Sequence, residues 1–204
     1  QKPFVSGKKL SLYEEQHLTF VGLISFFDTL KPTAKETIAL ARDLNVAVKI
    51  VTGDSKEVAG AVGYAVGLIA SATEVITGKE LEDMSEAERR ATVRDMKVFA
   101  RVSPHQKYDI IKLLQEDHEV GFLGEGINDA PALKLANVAI VVASASDIAR
   151  EAADVVLLRR NLETVIVGIR EGRTIFANIM KYLRVTLTSN FGNFYSVAMA
   201  SLFI

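Results

Sequence analysis

From about residue 34 onward, short apolar runs rich in valine and isoleucine alternate with helical segments across connections of a few residues. This alternation limits the fold more than any other feature. Parallel strands need crossovers, and crossover helices must bury one stripe, so the pattern predicts an α/β, Rossmann-type, doubly wound parallel sheet. A first helix is expected from Pro32 and Thr33 to about Asn45, with Thr33 and Glu36 as a capping box. Residues 46–52 (VAVKIVT) read as a strand covered on both faces and broken at Gly53. A helix over residues 56–66 is stopped by Gly67. Ser85 and Glu88 form a second capping box, opening a polar helix to about Met96. A strand over 98–101 leads to a helix marked by Ser103 as cap, Pro104 at its first position and Gln106 at its third. Strands follow at 119–123, 138–142 and 155–158. Leu162, Val165, Ile166 and Ile169 then recur at helical spacing, with no later proline, so one long helix is expected to run on toward the end of the chain.

The charges nearly cancel, 24 Lys+Arg against 25 Asp+Glu, so no global field attracts nucleic acid, and nucleic acid is not an expected partner. Without cysteine there is no disulfide framework and no zinc-thiolate site, in keeping with a reducing compartment. His17, His105 and His118 lack metal-ligand spacing. No signal peptide is expected, since Lys2 is followed by no apolar core segment. Residues 185–204 (VTLTSNFGNFYSVAMASLFI) carry no charge over about the length that crosses a bilayer as a helix. They also hold Asn190 and Asn193, candidates for an ion path because polar groups at such depth face a bundle interior. On this stretch alone, a buried terminal helix of a soluble domain is an equal reading. Lys181 and Arg184 at its border suit a cytoplasmic flank.

Three groups of residues fall at strand ends, where open α/β sheets bind ligands. In Thr52-Gly53-Asp54-Ser55 a hydroxyl ends a strand and a glycine turn offers backbone N–H groups at a helix start, a suitable place for a phosphate. Such a turn also caps helices with no further role. Lys107 stands at the fourth position of its helix and can point back to the sheet edge as a point charge, although most helical lysines are simply solvated. The loop Gly124-Glu125-Gly126-Ile127-Asn128-Asp129 crowds two carboxylates and an amide, oxygen donors suited to magnesium. Asp129 is also placed to cap the helix that contains Pro131.

In this order and spacing the motifs resemble the haloacid-dehalogenase-like phosphotransferases, and within them the P-type cation-transporting ATPases. The resemblance rests on Val51 to Ser55, on Phe99 to Pro104 with Lys107, on the loop 124–133, and on 147–154 (DIAREAAD). In the tail it rests on 171–178 (EGRTIFAN) and 189–193 (SNFGN), which is similar to the start of the fifth transmembrane helix in bacterial magnesium-transporting members. It covers roughly residues 18–204. The resemblance implies that Thr52 hydrogen-bonds a phosphoryl group and Lys107 neutralises it, with Gly53 and Asp54 in the same loop. It implies that Glu125 supplies a magnesium ligand and that Gly124, Gly126, Asn128 and Asp129 complete the loop's network. The implied chemistry is phosphoryl transfer from ATP, with Mg2+, to an aspartate and then to water. The implied organisation is 1–27 as the end of a nucleotide-binding domain, 28–160 as the later part of a phosphorylation domain, and 161–204 as a stalk entering the membrane. Residues 1–180 would then be cytoplasmic, with ATP, a cation such as Mg2+, the membrane through 185–204 and the remaining pump domains as partners.

Two departures stand against the family pattern. Its nucleophile lies in Asp-Lys-Thr-Gly-Thr, and neither an Asp-Lys pair nor an Asp-x-Asp occurs in the 204 residues. The chain therefore reads as a part of a pump that is inactive by itself, with a catalytically dead binding module or a soluble phosphatase of the same superfamily as alternatives. Glu125 stands where the family has aspartate, and its extra methylene moves the carboxylate by about a bond length, against the near-ideal octahedron that magnesium demands. The hinge 28–32 (DTLKP) also departs from the family's more proline- and arginine-rich version.

Overall fold

The computed structural model describes residues 19–22, 30–159 and 161–203. Of the expected return strand, residues 18–27, only 19–22 lie among them, and the start of the hinge at Asp28 and Thr29 lies outside. Two compact units divide at Leu30 and Lys31. Within the first, residues 19–22 form no regular element. All the elements that follow belong to the second.

In chain order these are α1 Ala34–Asp43, β1 Ile50–Val51, α2 Lys56–Ala65, β2 Ile76–Thr77, α3 Gly78–Glu82, α4 Glu86–Asp95, β3 Val98–Ala100 and α5 Pro104–Leu114. There follow β4 Gly121–Gly124, a 3-10 turn Ile127–Asp129, α6 Ala130–Leu135, β5 Val138–Val142, α7 Asp147–Glu151, β6 Val155–Leu157 and α8 Glu163–Phe203. Among the described residues every strand pairing is parallel, as expected, but the strands form two sheets rather than one, in the orders β1-β3-β2 and β4-β5-β6. The two middle strands are the most buried. Val98, Phe99 and Ala100 of β3 are fully enclosed, as are Ala139 and Val141 of β5, which explains why both read as unbroken apolar runs.

Caps fix where the helices begin. Ser85 accepts from Glu88 N–H at 3.4 Å while the Glu88 carboxylate accepts from Ser85 N–H at 3.0 Å, and Ser103 with Gln106 forms the same reciprocal box ahead of Pro104. Gly67 closes α2 in the left-handed region at φ +73°. Thr33, by contrast, does not cap α1. Its backbone is already helical (φ −80°, ψ −9°), and a cap hydroxyl needs an extended residue to reach the N–H groups of the first turn. Its carbonyl instead accepts from the Thr37 hydroxyl at 2.8 Å. The strand expected over 46–52 is paired only at Ile50–Val51, because its partner β3 is itself three residues long. Lys49 just ahead of it donates to Arg94 O at 2.8 Å and Met96 O at 2.6 Å, closing the end of α4. β2 and α3 were not expected. Thr77 and Glu80 join them through another capping box, and the N–H of Thr77, the Lys56 ammonium and the Thr77 hydroxyl hold the Glu80 carboxyl down at about 2.

α8 runs unbroken for 41 residues and contains the whole uncharged stretch as far as Phe203. The expectation that this stretch crosses a membrane is not met: among the described residues, no helix is long and apolar enough to do so. Length is ample, and the shortfall is in apolarity, since Thr186, Thr188, Ser189, Asn190, Asn193 and Ser196 interrupt the apolar side chains. The alternative of a buried terminal helix fails as well, for α8 has no buried residue.

Phe99 is fully enclosed at the middle of its sheet, with the Lys49 ammonium 5.9 Å from its ring centre. Phe99→Ala is expected to cost about 3–5 kcal/mol in urea unfolding, against under about 1.5 kcal/mol for Phe99→Leu, which nearly keeps the volume.

Candidate active site

Thr52, Gly53 and Asp54 follow β1 directly. The Thr52 hydroxyl donates to Asp54 Oδ2 at 2.8 Å and accepts from Asp54 N–H at 3.1 Å, so the loop is closed on itself. Ser55 caps α2 by accepting from Val58 N–H at 3.4 Å. Gly53 is not demanded by the backbone. Its φ is not left-handed, and a Cβ there would meet nothing closer than Val102 O at 3.8 Å.

Lys107 is not a solvated helical lysine. Its side chain is 15% exposed, and Nζ donates to Asp129 Oδ1 at 2.7 Å, Asp129 being 13% exposed. Asp129 Oδ2 accepts from Gly126 N–H at 3.1 Å and from Glu125 N–H at 3.3 Å. Burial pushes this carboxyl up, but the hydrogen bond from Lys107, the Gly126 N–H, the Lys107 charge and the Glu125 N–H together hold it below the ordinary carboxylate value. The expected cap on the following helix is absent, because the carboxylate turns back into its own loop. That turn needs Gly124: a Cβ there would lie 2.8 Å from Asp129 Cβ and 3.1 Å from Phe122 Cε1.

Glu125 is exposed, and its carbonyl accepts from Ser146 N–H at 3.1 Å, which fastens the loop to the start of α7. Asn128 is exposed on the 3-10 turn. Asn190 and Asn193 lie far along α8, exposed and outside this site. Between the two sheets a cleft of about 240 Å³ is lined by Val51 on one side and by Phe122, Leu123 and Gly124 on the other, with Lys107, Glu125 and Asp129 opening into it. Among the described residues, β1 and β4 each have one paired neighbour and are edge strands of their sheets.

Among the described residues no three His, Cys, Asp or Glu side chains lie close enough to cage a metal ion. Magnesium asks for less, taking one or two carboxylates and filling its octahedron with phosphate oxygens and water. Glu125 and Asp129 both line the cleft, and both oxygens of Asp129 are already engaged, Oδ1 by Lys107 and Oδ2 by two backbone N–H groups.

A parallel α/β core with a lysine and a two-carboxylate loop at its strand ends is what phosphoryl-transfer folds of this kind present. Residues 4–137 match the family model described as haloacid dehalogenase-like hydrolase, and the chain belongs to that family. Over 196 residues, 96% of its length, it is 46% identical to "Magnesium-transporting ATPase, P-type 1" of Salmonella typhimurium, of which it covers 21%. It is 35% identical over 204 residues, 98% of its length, to a "Calcium-transporting ATPase" of Bacillus subtilis, of which it covers 23%. Its fold is similar to a crystal structure of a zinc-transporting PIB-type ATPase in the E2.Pi state, with a TM-score of 0.59 and 27% identity, over 76% of this chain and 21% of that one. The chain thus spans about a fifth of the length of the curated relatives it matches.

Asp129→Ala would leave the Lys107 cation half-enclosed and two N–H groups without their acceptor, at a cost of about 1–3 kcal/mol at pH 7. Because the folded carboxyl is held low, its contribution is complete above the ordinary value near pH 4 and is lost as pH falls through the depressed one. Urea midpoints of the two proteins should therefore converge on acidification below about pH 4.

Proposed function

We propose that this chain is the later part of the phosphorylation domain of a P-type ATPase, with Mg2+ as the transported cation. The cleft between β1 and β4, each an edge strand among the described residues, carries the reading. Its walls are strand edges and its mouth holds a partly buried lysine and two carboxylates. An extended segment from elsewhere in the parent protein, bearing the aspartate nucleophile, would pair with both edges. Its phosphoryl group would then stand at the strand ends beside Thr52 and Lys107. The Thr52 hydroxyl would leave Asp54 to donate to a phosphoryl oxygen, and Lys107 would leave Asp129 to neutralise the charge. Such transfers need little from the protein beyond position and charge compensation. Glu125, with Asp129, would hold the catalytic magnesium, which when bound neutralises charge on phosphate oxygens. Gly53, Gly126 and Asn128 complete the two loops.

In the same reading, residues 1–27 end a nucleotide-binding domain that presents ATP, 28–160 are phosphorylation domain, and 161–204 link it to the membrane part of the parent, with the catalytic face in the cytoplasm. Magnesium as cargo is favoured by the 46% identity to the Salmonella pump over the 35% to the Bacillus one.

Calorimetry with orthovanadate and Mg2+ tests the site in the chain as it stands. Vanadate should bind only with Mg2+, more tightly to Glu125→Asp, and at least about tenfold more weakly to Lys107→Ala, equivalent to about 1.4 kcal/mol or more. Binding indifferent to both magnesium and Lys107 would sink the assignment. The chain by itself should hydrolyse no ATP, and turnover abolished by mutating Glu125 would contradict that.

A further inference from the structure

The ladder between β1 and β3 carries an irregularity at its catalytic end. In a parallel pair, a residue takes its two backbone bonds from residues one before and one after its partner. Ile50 pairs with Val98 and Val51 with Phe99, which places Thr52 opposite Ala100. Thr52 N–H accordingly donates to Phe99 O at 2.9 Å, and regular pairing would have Arg101 N–H donate to Thr52 O. Instead Val102 N–H donates to Thr52 O at 3.0 Å, while Arg101 N–H donates past it to Asp54 O at 2.8 Å. Arg101 is an inserted residue, a β-bulge, and its φ is +49°. Two successive N–H groups thus reach the same neighbouring segment, which a regular strand forbids because its N–H groups alternate in direction.

Asn45 is the one other described non-glycine residue with positive φ, and asparagine at a helix end adopts that conformation readily. Arginine does not, so the strain at Arg101 is held by its surroundings. One of these is Gly78. A Cβ there would come within 2.8 Å of Arg101 O and 2.2 Å of Gln106 Oε1, so the bulge leans on a position that only glycine leaves open. Gln106 donates to Gly78 O at 3.0 Å and accepts from Ser103 N–H at 2.8 Å. The bulge is thereby wedged between the Thr52–Asp54 loop and the start of the helix that carries Lys107.

We infer that Arg101 is a positioning residue whose left-handed backbone, not its side-chain charge, sets the Thr52–Asp54 loop and the first turn of α5 at the separation that lets Thr52 and Lys107 hold one phosphoryl group. The inference rests on the proposed phosphoryl site. Two substitutions separate backbone from charge, because both remove the cation. Glycine tolerates the left-handed conformation, whereas valine, branched at Cβ, resists it.

The test is a titration of the 204-residue chain with inorganic phosphate and Mg2+, followed by amide NMR, together with amide hydrogen exchange without phosphate. Wild type and Arg101→Gly should show phosphate shifts at Gly53, Asp54 and Lys107 with affinities within about twofold. Arg101→Val should bind at least about tenfold more weakly while still unfolding cooperatively, and its Val102 amide should exchange at least about tenfold faster than in the other two. A glycine variant as impaired as the valine one would overturn the inference and assign the effect to the charge. So would a valine variant with wild-type affinity or wild-type exchange at Val102. A chain that shows no phosphate shifts in any form would refute the phosphoryl site itself, and the exchange rates would still decide whether the bulge depends on the left-handed residue.

Discussion

Backbone N–H and C=O groups must find partners, and a parallel strand with one neighbour satisfies only one of its two edges. Among the described residues β1 and β4 are both in that position, and the two strands line the same cleft. Most of what distinguishes this chain follows from that constraint. The most buried strands, β3 throughout and β5 at Ala139 and Val141, are the middle ones of their sheets. The loops that bear hydroxyl, lysine and carboxylates leave the ends of strands or open the helix after one, so they converge on the mouth of the cleft rather than on a finished surface. A site assembled in this way is complete in its supporting residues and open at its centre.

Charge at that centre is balanced within the chain. A half-enclosed lysine without a partner would be costly, and Asp129 supplies the counter-charge through a carboxylate that is itself held by two backbone N–H groups. The contact also bridges the halves of the fold, because Lys107 belongs to the helix after β3 and Asp129 to the loop after β4. Gly124 makes the bridge possible by letting that loop fold tightly over its strand. In the proposed phosphorylated state the same lysine would exchange one anion for another, so that the pocket never carries an unpaired cation.

The sequence was most informative where a single residue type has one geometric solution. Ser103, Pro104 and Gln106 announced α5, and Gly67 announced the end of α2, because caps and left-handed closures are local. Thr33 carried the same signature as Ser85 and failed, since the pattern does not reveal whether the chain arrives extended or already coiled. β2 was missed because two residues offer no periodicity, although Thr77 and Glu80 marked the helix after it. The split into two sheets could not be read at all, for strand order depends on which edges meet. At the site, the identities of Lys107 and Asp129 were legible and their direct contact was not. Arg101 passed as the last residue of a strand, and only the hydrogen-bond register exposes it as an insertion. The uncharged tail is one continuous helix, and counting its charges overstated how apolar it is.

α8 meets the rest of its unit near its beginning. Val165 packs on the core of the second sheet, and Arg173 donates to Leu44 O at the end of α1. At 1.5 Å per residue these supports lie about 12 Å apart, and Phe203 about 57 Å from the first. The geometry is that of a lever with a short inner arm. A displacement of about 1 Å at the Leu44 support, relative to Val165, would swing Phe203 by about 5 Å, roughly the diameter of a bare helix backbone. Movements too small to repack either sheet are thereby magnified nearly fivefold at Phe203.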